Sequence, residues 1–132
     1  MNIFNFFRSS KNDYYSQSGQ DQFAHNLLGY NNFYLEIGAH HPIINSNTYN
    51  LETKCGWSGL SIEYDISFKS EWDEYEKRNN EIIWDDAFNI DYSKIAKEKN
   101  FPKIIGYLSC DIEPPKNTFN ILKKIINSNL VF

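Results

Sequence analysis

Four groups of carboxylates stand where short apolar runs of this chain end, and an acid at the end of a strand is placed to touch a ligand. The first is Glu36, in Glu36-Ile-Gly-Ala-His-His-Pro42. Gly38 allows a tight backbone turn and a close approach with no Cβ in the way. Glu36 can accept a hydrogen bond from a cationic or amino group, although a plain strand-to-helix turn would use the same residues. The second is Glu63, in Glu63-Tyr64-Asp65 at the end of the next apolar run. An acid there can take both hydroxyls of a ribose, or stand solvated. The third is Asp85-Asp86-Ala87. A carboxylate here can accept from the exocyclic amine of an adenine, and small Ala87 leaves room for the ring; the competing use is a helix N-cap. The fourth is Asp111-Ile-Glu113-Pro-Pro115. Two carboxylates at i and i+2 suit acid/base work, a substrate hydroxyl or a hard cation such as magnesium. Capping of the following helix is the structural alternative.

His40 and His41 raise the question of a metal. Adjacent side chains point apart and no third nitrogen or sulfur ligand is evident. His40 is therefore expected to hydrogen-bond within its loop, His41 to be partly exposed, and no metal to be held. His25 falls on the first helical stretch and reads as structural. Cys55 and Cys110 make neither a metal-type pair nor a disulfide framework, and read as reduced, small apolar residues. Trp57, Trp72, Trp84 and Tyr107 read as core. A dinucleotide-binding turn would carry G-x-G-x-x-G. This turn has Gly38 alone, with His40 and Pro42 where further glycines would stand, and no P-loop occurs, which argues against dinucleotide binding.

Bringing those carboxylates together requires strands that end side by side. Ser18-Gly-Gln-Asp21 reads as a capping box that opens a helix through Phe23, Leu27 and Leu28, stopped by Gly29. Strands are expected over 33–37, 60–63 (entered through Gly59), 81–84 and 104–110. Helices are expected over 45–54 (closed by Gly56), 68–78 (Trp72 and Tyr75 on one face) and 91–99. Pro114 and Pro115 suit the first turn of a last helix carrying Phe119, Ile121, Leu122, Ile125 and Ile126. Leu130 to Phe132 reads as the start of a fifth strand. Strands alternating with helices predict a parallel sheet covered on both faces, doubly wound through right-handed crossovers. Such sheets bind ligands at the carboxyl ends of their strands, near the point where strand order reverses.

Composition narrows the class. Apolar residues make up 41% and aromatics 17% of 132 residues, which is enough for the core of one globular domain. Lys plus Arg is 13 against 17 Asp plus Glu, for a net charge of −4, and no basic block occurs. Nucleic acid is disfavoured as a partner, because phosphate binding needs clustered cations. The apolar start Met1 to Phe7 is short and is followed by Arg8, Ser9, Ser10 and Lys11. It lacks the run of a signal peptide, and no stretch nears the ~20 apolar residues of a membrane helix. The expected location is cytoplasmic, with no membrane partner.

Several segments, in order, resemble one family. Tyr15-Ser-Gln-Ser-Gly-Gln-Asp-Gln-Phe23, Phe33-Tyr-Leu-Glu-Ile-Gly-Ala39, Ser46-Asn-Thr-Tyr49, Leu51-Glu52 and Gly56-Trp57-Ser-Gly59 carry the first part of the match. Ser61-Ile-Glu-Tyr64, Asp86-Ala87 with Ile90-Asp-Tyr92, and Tyr107-Leu-Ser-Cys-Asp-Ile-Glu113 carry the rest. The chain resembles the FkbM-type methyltransferases, a branch of the class I S-adenosylmethionine-dependent enzymes. It departs where many relatives have Gly-Ala-Asn-Asp-Gly, since His40, His41 and Pro42 stand there. Family members also usually continue for several strands beyond the Asp-Ile-Glu region. The resemblance implies a Rossmann-like class I methyltransferase fold, incomplete at its C-terminal side. It implies one domain over 1–132, with an N-terminal extension (1–30) and a cofactor-binding half (31–132).

The cofactor implied is S-adenosyl-L-methionine. By the same resemblance, Glu36 and Gly38, Ala39 and His40 would hold its methionine part, and Asn47 and Thr48 would line that pocket. Glu63 would bind the ribose, Asp86 and Ala87 would meet the adenine, and Gln20 and Asp21 would close the pocket. Asp111 and Glu113 would face the substrate. The implied reaction is O-methylation of a small-molecule hydroxyl on a sugar or polyketide-like acceptor, with Asp111 as base. A homodimer contact would cover the open sheet edge. Two alternatives stand beside it: a truncated or degenerate cofactor-binding module without catalysis, or a carbohydrate- or nucleotide-binding module that reuses the fold.

Overall fold

The computed structural model of the chain describes residues 14–132. The apolar start Met1 to Phe7 and the polar stretch Arg8 to Lys11 lie outside the described residues. The strand Phe33–Ile37 (β1) organises the rest. Its side chains alternate between two faces, as the pleat requires. Leu35 and Ile37 point one way with Leu60 and Ile62 of β2 (Ser58–Glu63). They pack on Tyr92 and Ile95 of α4 (Tyr92–Glu98) and on Ile121 and Ile125 of α5 (Pro115–Ile126). Tyr34 points the other way, onto Ala24 and Leu28 of α1 (Gln20–Leu28), Leu51 of α2 (Tyr49–Thr53), Cys55 and Trp57. Each fully buried aliphatic side chain contributes about 1.5–3 kcal/mol, so two such clusters hold helices to both faces of the sheet.

The sheet is wholly parallel. β1 lies between β2 and β4 (Tyr107–Cys110), and β3 (Glu81–Trp84) lies outside β2, giving the order β3-β2-β1-β4. Parallel neighbours need crossovers. These run through α2, through α3 (Lys69–Glu74) and through α4. The chain steps outward from β1 to β3 and then returns to the far side of β1, so strand order reverses between β1 and β4. This is the α/β parallel architecture expected from the alternating pattern. At the β1–β2 register Tyr34 faces Gly59, and a Cβ on Gly59 would fall 2.5 Å from the Tyr34 ring. The glycine entering β2 makes room for the tyrosine that fills the second core.

Local chemistry moves several boundaries. The capping box at Ser18 does not form: α1 starts after Gly19, at φ 79°, with no side-chain cap. Ser16 takes that part instead, donating Oγ to Asp21 Oδ1 (2.5 Å) while accepting from the Asp21 amide (3.3 Å). The helix expected over 45–54 shrinks to α2. Asn45 adopts a left-handed φ of 58°, and Ser46 Oγ accepts the amides of Thr48 and Tyr49, so 42–48 remains a loop. The helix expected over 68–78 becomes a 3-10 turn, Ile66–Phe68, running into α3, which ends at Glu74 with Tyr75 as its C-cap. β4 is shorter than 104–110: it spans Tyr107–Cys110, and just ahead of it the Ile105 amide is given to the Val131 carbonyl (2.8 Å). Leu130 to Phe132 forms no strand. Asn129 turns left-handed at φ 64°, and a backbone bond from Ile105 N to the Val131 carbonyl (2.8 Å) ties this segment beside β4. Among the described residues, no helix is long and apolar enough to cross a membrane.

Candidate functional site

The carboxyl ends of β1, β2 and β3, with the segment after β4, enclose a cavity of about 230 Å³. Gly38, Glu63, Tyr64, Asp86, Ala87, Phe88 and Glu113 are among its lining residues. The parallel sheet makes this convergence, because each strand delivers its last residue to the same edge. Glu63 is 8% exposed. Its Oε2 accepts the His40 amide and its Oε1 accepts the Asp65 amide, both at 2.7 Å. Each carboxylate oxygen has two acceptor positions, so one on each remains for a ligand hydroxyl.

Asp86 and Ala87 serve the turn as well as the cavity. Asp86 Oδ1 accepts the Phe88 amide (2.9 Å), and the buried Tyr92 hydroxyl donates to the Ala87 carbonyl (3.0 Å). Asp85 Oδ1 accepts the Asp86 amide (2.6 Å) and Asn89 Nδ2 (3.0 Å). Gly38 has a different reason from the one its sequence suggests. At φ 80°, a Cβ there would lie 2.1 Å from the Asp111 carbonyl oxygen and 2.9 Å from Ile112 Cγ2. The close approach that looked reserved for a ligand is made by this chain's own backbone after β4.

Glu36 is buried below the cavity rather than lining it. It accepts from Thr48 Oγ1 (2.9 Å) and Ser61 Oγ (2.7 Å) and lies 3.9 Å from Arg78 Nη2. Burial pushes its pKa up, against the opposing pull of Arg78, Ser61 and Thr48. Thr48 is buried in the same network. Asn47 Nδ2 donates to Ser109 Oγ (3.0 Å), tying the 42–48 loop to β4. Ala39 is buried, its amide donating to the Ile62 carbonyl (3.3 Å).

His40 adopts a left-handed φ of 54°. Its carbonyl accepts Trp72 Nε1 (2.7 Å), and its ring meets Phe68 in a tilted contact, centroids 4.0 Å apart and planes at 48°. The side chain that hydrogen-bonds within the loop is His41, whose Nδ1 accepts the Ile43 and Ile44 amides, both at 3.0 Å. Gln20 and Asp21 do not reach the cavity: Gln20 Oε1 accepts the Ser18 amide (2.9 Å), and buried Asp21 holds the 15–22 turn. Asp111 and Glu113 are both exposed. Glu113 lines the cavity, whereas Asp111 sits beside it, its amide donating to the Ile37 carbonyl (3.0 Å).

Both cysteines are free thiols. Burial, then the Asp111 carboxylate, pushes Cys110 up to about 11, so it carries its proton at neutral pH. Among the described residues, no three His, Cys, Asp or Glu side chains converge as a metal centre would need. A wider groove of about 490 Å³ lies at the opposite end of the sheet, between α4 and 128–131, with no carboxylate among its lining residues. Sequence reasoning missed Tyr64 and Phe88, which line the acidic cavity while 76% and 40% exposed. Aromatic residues next to the acids at two strand ends, Glu63-Tyr64-Asp65 and Asp86-Ala87-Phe88, were the legible signal. It also missed Arg78, whose side chain is 1% exposed. The signal there was the residue type: besides Arg8, it is the one arginine in a lysine-rich chain. Arginine suits buried ion pairs better than lysine does.

Comparison with known protein-family models, curated proteins and solved structures gives no match to this chain.

Proposed function

We propose that this chain is an S-adenosylmethionine-dependent O-methyltransferase of the FkbM type, built on the class I methyltransferase fold. The observation that carries this reading is Glu63, with one free acceptor position on each oxygen, sharing a cavity with Asp86 and Ala87 beside the strand-order reversal. That donor set suits a nucleoside: a carboxylate for a ribose diol, an acid for an exocyclic amine, and a small residue with exposed aromatics for a flat ring. The cavity volume of about 230 Å³ is below the ~300–1,000 Å³ of pockets that engulf a drug-sized ligand. It suits the nucleoside part alone, with the methionine part outside it, toward Gly38, Ala39, His40 and Asn47.

When bound, the cofactor supplies an activated methyl group on its sulfonium. The work left to the chain is to align a hydroxyl with that methyl and to take the hydroxyl proton. Asp111, exposed at the end of β4 beside Gly38, is the base in this reading. Glu113 orients the acceptor from the cavity wall. The acceptor class is a sugar or other small-molecule hydroxyl. A second reading, a nucleoside-binding module without catalysis, draws on one observation: Asp111 lies beside the cavity and not among its lining residues.

Calorimetric titration of the full chain with S-adenosylmethionine and with its demethylated product tests the proposal. Saturable binding of both, followed by methyl transfer to a hydroxyl acceptor, supports it. Binding without transfer to any of a panel of sugar and other small-molecule hydroxyl acceptors selects the second reading, and no binding by a folded chain overturns the methyltransferase reading and points to a module for another nucleotide or a carbohydrate.

A further inference from the structure

The loop between Gly38 and α2 has no regular structure of its own and holds two non-glycine residues at positive φ, His40 and Asn45. Such a loop keeps its shape only if its surroundings over-determine it. Much of that constraint comes from one side chain on the α3–β3 connection. Arg78 Nη1 donates to the Pro42 carbonyl (2.8 Å) and to Ser46 Oγ (3.2 Å). Nη2 donates to Thr48 Oγ1 (2.9 Å) and to the Tyr34 hydroxyl (3.4 Å). Nε makes a close ion-pair contact with Glu52 Oε2 (2.6 Å), without the alignment of a hydrogen bond.

The guanidinium lies 4.4 Å over the Trp72 ring, whose Nε1 holds the His40 carbonyl; the His40 amide in turn holds Glu63. The contacts therefore run without a break from Arg78 to the carboxylate assigned to the ribose. They also run through Ser46 and Thr48 to either side of Asn47. A buried guanidinium must find acceptors for its N–H donors whatever its role; what singles out Arg78 is that three of its four hydrogen-bond acceptors, Pro42, Ser46 and Thr48, belong to this one loop, and that it also covers the indole that fixes His40.

We infer that Arg78 is a positioning residue for the candidate cofactor site: it sets the 40–48 loop, and with it His40, Asn47 and Glu63, in the shape that receives the ligand. The inference rests on the methyltransferase reading for the identity of that ligand. Lysine keeps the charge, but its compact ammonium cannot reach Pro42, Ser46, Thr48 and Glu52 together.

The test compares the wild-type full chain with Arg78→Lys, Glu52→Gln and a control, Ile125→Val, which trims the α5 core away from the loop. Two quantities are read: affinity for S-adenosylhomocysteine by calorimetry, and amide hydrogen exchange across 39–49. Arg78→Lys is expected to weaken binding at least about tenfold and to speed loop exchange, while the control binds as wild type does. Glu52→Gln removes the charged partner of Arg78 Nε, and that side chain makes no hydrogen bond of its own to the 40–48 loop; it is expected to move both readouts in the same direction, which decides the matter if Arg78→Lys does not fold. A folded Arg78→Lys with native affinity and native loop exchange overturns the inference, as does an unmoved Glu52→Gln. If wild type does not bind while the Arg78→Lys loop still loosens, the ligand assignment fails and the positioning role stands.

Discussion

Replacing Glu63 with glutamine is the sharpest single perturbation of the site, because its observed job, holding two amides, and its proposed one, holding a ribose, respond differently. Its carboxylate accepts two backbone amides, from His40 and Asp65, each at 2.7 Å. Glutamine keeps one carbonyl oxygen and turns the other acceptor into an NH2, which faces an N–H donor. One of the two amide bonds is therefore lost in either orientation. Hydrogen bonds to charged groups contribute about 1.5–3 kcal/mol, but both amides are in half-exposed segments where water replaces the acceptor, so the stability loss is expected near the lower figure. Ligand affinity loses more. A ribose diol on a carboxylate makes two charge-assisted bonds; glutamine retains at most one neutral acceptor. Losing about 3 kcal/mol there weakens binding roughly 100-fold. Calorimetry with S-adenosylhomocysteine, run beside a thermal melt, separates the two effects. A variant that melts within a few degrees of wild type and binds with wild-type affinity would refute the ribose assignment.

Gly38→Ala must place a Cβ 2.1 Å from the Asp111 carbonyl at a φ of 80°; a loss of roughly 3 kcal/mol and a melting midpoint lower by on the order of 10 °C are expected, and an unchanged melt contradicts the packing argument. On the proposed methyltransferase reading, Asp111→Asn is expected to leave cofactor affinity within twofold while cutting turnover of a hydroxyl acceptor about 100-fold or more; full turnover assigns the proton transfer elsewhere. For pH, burial raises the Glu36 pKa in the folded chain above its ordinary value. Between the ordinary value and the raised one, the folded state binds more protons there than the unfolded state does. The stability this gives is complete below the ordinary carboxylate range and is lost as pH rises through the raised value. Denaturant titrations of wild type and Glu36→Gln across pH 4–8 should therefore show the wild type losing ground to the variant as pH rises. A constant difference, or the opposite trend, would show that the Arg78 contact outweighs the burial.

How much of this was legible in the sequence depended on the range of the interaction involved. β1 and β3 fall where their apolar runs lie, because a short, nearly continuous apolar run bounded by turn residues marks a strand of a covered parallel sheet. Glu63, Asp86 and Ala87 share a cavity because parallel strands end together, a consequence of topology that alternation of strand and helix already implies. Ends set by a single side chain were not legible. Ser46 capturing two amides shortens α2, and Ser16, not Ser18, pairs with Asp21 ahead of α1. Arg78 lies in Lys77-Arg-Asn-Asn80, which reads as a solvated turn. Its burial depends on partners 26 to 44 positions away, including Glu52, Pro42 and Tyr34. No local pattern signals such partners. The same is true of Glu36: its place at a strand end suggested a ligand contact, and Thr48 with Ser61 draws it inward.

The central claim is that the strand-end cavity holds the nucleoside part of S-adenosylmethionine, and residue-resolved NMR of the full chain titrated with S-adenosylhomocysteine tests it most directly. The account predicts that amide shifts concentrate on Gly38 and His40, on Glu63 to Asp65, and on Asp86 to Phe88, while the outer face of α5 stays unmoved. No perturbation at saturating ligand, or shifts confined to the groove between α4 and 128–131, would contradict it.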